Sequence, residues 1–327
     1  MRTSDPAPPI HPIIVIGFGI LAVSSASIFI RYAQTSAPSL VIAAYRLTLA
    51  SLVLAPVALT RQRRELRAID GSSLRLALLS GFFLALHFAS WITSLEYTTV
   101  ASSVVLVTTT PLWVGLLSPW TVKEPLTRPI LIGLMLALVG GVAVGLSDYC
   151  SFGGGSLLCP NLGDFMRGRA FLGDLLALFG AWMAAGYILI GRRLRSGMSV
   201  VSYVFLVYGA AAVLLIGIMF SAGQKPWGYP PITYLWFVLL ALIPQLIGHS
   251  SFNWALQYLQ AAYVSITLLG EPVGSTILAY FLLGERPTAF KIFGAILILI
   301  GIYLASQSEG LTKRRLRFRP SLQEESE

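Results

Sequence analysis

Residues 255–288 read "ALQYLQAAYVSITLLGEPVGSTILAYFLLGERPT", and residues 94–127 read "SLEYTTVASSVVLVTTTPLWVGLLSPWTVKEPLT". The two stretches lie 161 positions apart and align without a gap. Tyr97 falls on Tyr258, Ala101 on Ala262, Pro111 on Pro272, Glu124 on Glu285 and Thr127 on Thr288. The same offset carries Phe18-Gly19 onto Phe179-Gly180, Arg31 onto Arg192, Ser90 onto Ser251, Gly133 onto Gly294 and Gly140 onto Gly301. Coincidences of Leu or Gly are cheap in an apolar chain. Coincidences of Pro, Glu, Tyr and Arg at one offset are not, so the sequence reads as two copies of one unit.

Both stretches place a helix breaker, and the second also a carboxylate, inside a greasy segment. The surrounding composition says what the solvent is. The 327 residues are 56% hydrophobic and only 11% charged, with mean hydropathy +0.76. Soluble domains carry roughly a quarter charged residues. The apolar residues recur in runs of about 20, the length that crosses roughly 30 Å of hydrocarbon as a helix. Ten runs are expected: 12–32, 39–60, 74–95, 98–119, 128–147, 171–191, 199–220, 233–256, 261–283 and 288–306. Transmembrane barrel strands alternate in polarity and are about half as long, which excludes a barrel. The first run has the flavour of a secretory signal, but its length and its later counterpart favour a membrane helix.

Five helices per copy is an odd number, so the second copy enters from the opposite side. The expected fold is an all-α integral membrane protein of ten transmembrane helices, built as two inverted-topology repeats of five. The expected units are residues 12–147, an outer loop 148–170, residues 171–306 and a basic tail 307–327. With the N-terminus inside, 16 of the 23 Lys and Arg residues fall in inside segments and six outside, with Arg46 left within a run. This asymmetry places both termini in the cytoplasm and the chain in the cell (inner) membrane. It also explains the net charge of +9 without nucleic acid. The tail "KRRLRFR" is then a topology signal beside anionic lipid. Cys150 and Cys159 flank "SFGGGSLL" in the outer loop, where a disulfide is permitted and two free thiols stay open.

Inverted repeats are the construction of many secondary transporters, with the substrate near the midplane between the copies. Glu271 lies ten residues past Ala261, about 15 Å along a helix. An ionisable group at that depth costs about 2.5–3.5 kcal/mol on insertion scales and is a functional candidate by default. A structural capping role stays open beside it. Pro272 frees the carbonyl of Leu268, and Pro111 frees that of Val107. Paired breaks in matching helices point to a central cavity.

His87 and Trp91 share a helix face, as do Gln245 and His249, with Asn253 continuing the line. Tyr187 and Tyr263 add amphipathic aromatics. As a set these residues describe a polar-aromatic lining, while ordinary interhelical packing stays open for each. The two histidines lack companion ligands at zinc spacing, so no metal or other cofactor is expected. Arg46, the basic residue deep in a run, is expected to pair structurally. Glu124 and Glu285, at helix ends, are expected as acceptors at the N-terminus of the next helix.

With "YRLTLAS" at 45–51 and the two 34-residue units quoted above, the chain resembles the drug/metabolite transporter superfamily, EamA type, over residues 12–306. The resemblance implies two repeats around a central cavity, cytoplasmic termini and transport of small metabolites, often outward. It implies nothing about the 148–170 loop.

The expected function is therefore secondary transport of a small metabolite, such as an amino acid or nucleobase, by alternating access. No Walker A pattern is present, so ATP is not the direct energy source. Proton coupling and facilitated diffusion both stay open. Two other classes would leave different signatures. A channel of the same superfamily would show a ring of like charges or a carbonyl filter. A membrane enzyme would show a metal or nucleophile motif, and none is read here.

Overall fold

A computed structural model of the chain describes residues 8–98, 103, 106–146, 151–153, 156–158, 169–283 and 287–317. Cys150, Cys159 and Glu285 lie outside these residues, and with them the expected disulfide and the expected helix-end role of Glu285.

The first half holds α1 (Pro12–Ser24) and α2 (Ala26–Gln34), stacked end to end about Ser25. It continues with α3 (Ser39–Arg61), the short α4 (Arg63–Ala68), α5 (Gly71–Tyr97), α6 (Thr110–Thr121) and α7 (Arg128–Leu146). The second half holds α8 (Arg169–Arg195), α9 (Val200–Ser221) and α10 (Pro231–Leu240). A π-helix (Ala241–His249) leads from α10 into α11 (Ser250–Ala255). Then come α12 (Ala261–Thr267), a 3-10 turn (Leu268–Gly270), α13 (Glu271–Leu283) and α14 (Ala289–Arg317). The expectation of an all-α chain has one small exception. A hairpin of β1 (Ser151–Gly153) and β2 (Ser156–Leu158) pairs antiparallel between the halves.

Among the described residues, seven stretches are long and apolar enough to cross a membrane, against ten apolar runs in the sequence. Two further runs form shorter apolar helices, Arg128–Ala143 and Ile292–Gln307. The run at 98–119 is interrupted by a turn at Thr108 and Thr109, after which α6 begins. The surface is greasy, as a bilayer demands, and the mostly apolar interior also holds polar side chains. Phe18, Val213 and Phe281 are 65%, 73% and 76% exposed, whereas Arg46, Gln245 and Asn253 are 0%, 0% and 1% exposed.

Helix starts follow local chemistry. Asp70 caps α5, accepting from the backbone N–H groups of Ser72 (2.9 Å) and Ser73 (3.0 Å). Ser199 caps α9. Glu65 on α4 accepts from the Ser199 N–H (2.6 Å) and from the hydroxyls of Ser199 and Ser202 (2.5 Å each). That ties α4 to the start of α9.

Contacts between the halves are reciprocal. A Cβ on Gly19 would meet the Gly248 carbonyl, Ser251 and Phe252; one on Gly180 would meet the His87 carbonyl, Ser90 and Trp91. Each of these residues maps onto its counterpart at the 161-residue offset. Likewise α7 crosses α14 through glycines: Gly133 meets the Gly301 backbone, and Gly140 meets that of Gly294, 2.6 Å from where a Cβ would sit. Gly133 and Gly294 are repeat mates, and so are Gly140 and Gly301. The two helices therefore run antiparallel at the crossing. Only residues without side chains allow backbones this close. Contacts that survive exchange of the two halves are the mark of a two-fold relation.

Candidate functional site

Phe88 and His249 are repeat mates, and their rings meet edge to face at 5.3 Å. A residue can touch its own mate only near the axis relating the halves. A cavity opens beside them, with about 90 Å³ accessible to water-sized molecules. Its lining is largely paired by the same offset: Val23 with Ala184, Ala26 with Tyr187, Trp91 with Phe252, Val107 with Leu268, Thr108 with Leu269 and Thr110 with Glu271. Of the residues expected to line a cavity, His87, Trp91, Tyr187, His249, Asn253 and Glu271 do so, as does Pro111.

Two expected members are placed elsewhere. Gln245 is not in the lining; its Oε1 accepts from Arg46 Nε at 2.8 Å. Helical periodicity put it on the face of His249, but both sit in the π-helix, where hydrogen bonds skip five residues and the face pattern shifts. The Ser250 N–H bonds to the Gln245 carbonyl in that spacing. Tyr263 belongs to α12, whose seven residues are all buried, so its ring is packed among neighbouring helices. The sequence signal for the π-helix was Pro244, which supplies no N–H in the middle of a long run.

Arg46, expected as a structural pair, borders the cavity. Its guanidinium lies over the Phe88 ring, 4.2 Å from the centroid. Among the described residues its Nη1 has no hydrogen-bond partner, nor do Trp91 Nε1 and Gln245 Nε2. Glu271 borders the same cavity, and no ion pair within 4.0 Å joins it to Arg46. His87 Nδ1 lies 2.9 Å from the Gly180 carbonyl. A carbonyl only accepts, so Nδ1 carries the hydrogen and a neutral ring offers Nε2 as an acceptor. The His87 ring stacks on Trp91 at 5.9 Å and 12°. Asn253 Nδ2 donates to Tyr187 Oη (2.5 Å) and to the His249 carbonyl (2.9 Å).

The two proline breaks are present, and their freed carbonyls are satisfied locally. Thr110 Oγ1 donates to the Val107 carbonyl at 2.8 Å. The Glu271 N–H turns back to Leu268 O, closing the 3-10 turn. Pro111 and Pro272 then sit in the first turns of α6 and α13, where a missing N–H costs little. Pro272 itself is outside the lining.

Glu124 does not cap the helix that follows it. Its Oε2 accepts from the Ala261 N–H (2.8 Å), the first residue of α12 in the other half, and its Oε1 pairs with Arg192 Nε at 2.5 Å. Arg192 Nη1 also donates to the Leu256 carbonyl (2.8 Å). Arg195 donates to the Asn253 carbonyl (2.9 Å), to Gln257 Oε1 (2.7 Å) and to the Met198 carbonyl. This latch of helix ends went unread in the sequence, where Arg192 and Arg195 counted only toward orientation.

Residues 12–146 and 171–307 each match the EamA-like transporter family. The chain belongs to that family. The transporter is similar to an uncharacterized transporter of Archaeoglobus fulgidus, 22% identical over 299 residues that cover 90% of this chain and 97% of that protein. It is also similar to the uncharacterized transporter YdfC of Bacillus subtilis, 24% identical over 264 residues that cover 80% of this chain and 79% of that one. A solved crystal structure shares the fold with a TM-score of 0.71 at 19% identity, over 93% of this chain and 98% of that one.

Proposed function

We propose that this transporter is a secondary carrier that moves a small metabolite by alternating access around the cavity bordered by Arg46, His87, Trp91, Tyr187, His249, Asn253 and Glu271. The observation that carries this reading is the position of that cavity on the axis between the halves. Two similar halves that meet at a shared cavity can rock about it. In this reading ten membrane helices form two inverted repeats, residues 12–147 and 171–306. The family matches at 12–146 and 171–307 and the antiparallel glycine crossing of α7 and α14 support it. The basic asymmetry supports cytoplasmic termini and an inner-membrane location. The resemblance supports export as the direction.

In this orientation the Glu124–Arg192 latch closes the cytoplasmic end. Flux into proteoliposomes tests the reading. Saturable uptake that is accelerated by substrate preloaded on the other side identifies a carrier. Flux that rises linearly with concentration and shows no counterflow would instead identify a channel.

A further inference from the structure

We infer that Cys150 and Cys159 form a disulfide that staples the base of the β1–β2 hairpin. The inference goes beyond the transport reading and rests on one premise of it, the outward placement of the 148–170 loop. The two cysteines lie outside the described residues, and the register of the strands between them carries the argument. Ser151 pairs with Leu158, Phe152 with Leu157 and Gly153 with Ser156. One step outward from Ser151 and Leu158, the same register reaches Cys150 and Cys159. These are the two cysteines of the chain, so the register assigns both to one cross-strand pair.

The kind of pair matters as much as the register. Gly154 and Gly155 stand between the paired Gly153 and Ser156. Gly-Gly is a favoured sequence for two-residue hairpin turns, which close with hydrogen bonding between the flanking residues. Gly153 and Ser156 are then a hydrogen-bonded pair. The two kinds of pair alternate along an antiparallel ladder. Phe152 and Leu157 are therefore non-hydrogen-bonded, Ser151 and Leu158 hydrogen-bonded, and positions 150 and 159 non-hydrogen-bonded again. Cα atoms in a non-hydrogen-bonded pair lie about 4.5 Å apart, with the side chains drawn together. A disulfide spans Cα separations of about 4.4–6.8 Å, so this kind of pair falls within its reach. Pro160, directly after Cys159, has no N–H to extend the ladder. A two-stranded hairpin is marginal by itself in water, so a covalent staple has much to add. The bond forms between the two Sγ atoms as both thiols lose a hydrogen. Two electrons and two protons pass to a thiol oxidase of the outer compartment, whose own disulfide becomes two thiols through a mixed disulfide. Such bridges persist on the outer face of a membrane and are rare in the cytosol. The bridge takes residues 151–158 out of the covalent path from α7, ending at Leu146, to α8, starting at Arg169. It thereby shortens the tether between the halves.

The test uses the full-length protein expressed in a bacterial inner membrane, with N-ethylmaleimide added to the cells before lysis to stop thiol exchange. Intact-mass spectrometry is expected to show no adduct on the unreduced protein and two adducts after reduction and a second alkylation. Proteolysis without reduction is expected to give a linked peptide holding positions 150 and 159, lost on reduction. In Cys159→Ser with Leu158→Cys the spontaneous bridge should be lost, because neighbouring residues face opposite sides of a strand. An equal bridge in that variant would refute the register argument. Two adducts without reduction, or a disulfide-linked dimer on a non-reducing gel, overturns the proposal. Free thiols that an impermeant maleimide labels in whole cells with a permeabilised outer membrane would refute the disulfide and keep the orientation. Free thiols that it labels only in inside-out vesicles would refute the disulfide and the outward placement together.

Discussion

Removing the charge of Glu124 is expected to unlatch one end of the transporter. In Glu124→Gln the side chain keeps an oxygen for the Ala261 N–H but loses the ion pair with Arg192. That pair is short, at 2.5 Å, and its side chains are only 12% and 24% exposed. A hydrogen bond between charged groups contributes about 1.5–3 kcal/mol when buried. Partial exposure trims this to about 1–2 kcal/mol. If the latch holds the closed arrangement, its loss shifts the opening equilibrium about 5- to 30-fold. The assay places a single reporter, Ala184→Cys, in the cavity lining, with Cys150 and Cys159 replaced by Ser. A membrane-impermeant thiol reagent applied from the Glu124 side of inside-out vesicles should then modify position 184 about 5- to 30-fold faster in Glu124→Gln. Arg192→Gln should do the same, and the double variant should add little, because both remove one interaction. An unchanged rate in both single variants, or full additivity in the double, would refute the reasoning.

Gly140→Leu should cost about 1–3 kcal/mol or more of stability, seen as a lower unfolding temperature in detergent, because the new Cβ would lie 2.6 Å from the Gly294 carbonyl. Gly17→Ala, with nothing within 4 Å, should be near neutral in the same measurement. Glu65 is held below the usual carboxylate range: burial alone would raise it, but the hydrogen bonds from Ser199 and Ser202 together outweigh burial. A depressed folded value means its stabilisation is present above the unfolded value of about 4.3 and is lost as pH falls through the folded value. Glu65→Gln should therefore flatten the acid limb of unfolding temperature against pH, and an identical limb in both proteins would count against this. For orientation, in a background with Cys150 and Cys159 replaced by Ser, Gly155→Cys should react with impermeant reagent added outside while Arg64→Cys is spared; the reverse labelling would invert the assignment.

The rods of this fold were legible in the sequence because a bilayer forces long apolar runs. The repeat was legible because Pro, Glu, Tyr and Arg recur at one offset. The cavity was partly legible for the same reason, since Pro111 and Pro272 mark where both copies break. What escaped the sequence was distance between helices. Nothing in "AAYRLTLAS" tells that Arg46 lies over Phe88 and beside Gln245. Nor does "KEPLT" tell that Glu124 reaches α12 of the other half rather than the helix after it. The π-helix at Ala241–His249 misplaced Gln245, because periodicity arguments assume one pitch throughout a run.

The reciprocal contacts of Gly19 with Ser251 and Gly180 with Ser90 have a consequence for how such a molecule changes shape. The halves are alike in sequence pattern but not in local conformation: one break is a turn at Thr108 and Thr109, the other a 3-10 turn at Leu268–Gly270. Under the alternating access proposed above, letting each half adopt the conformation of its mate would close the same shell at the opposite end. The second end state then needs no new interfaces, only a trade of roles between existing ones. In that proposed cycle each of these reciprocal seams would be used twice. Substitutions at mated positions, such as Gly19 and Gly180, should accordingly bias the cycle in opposite directions.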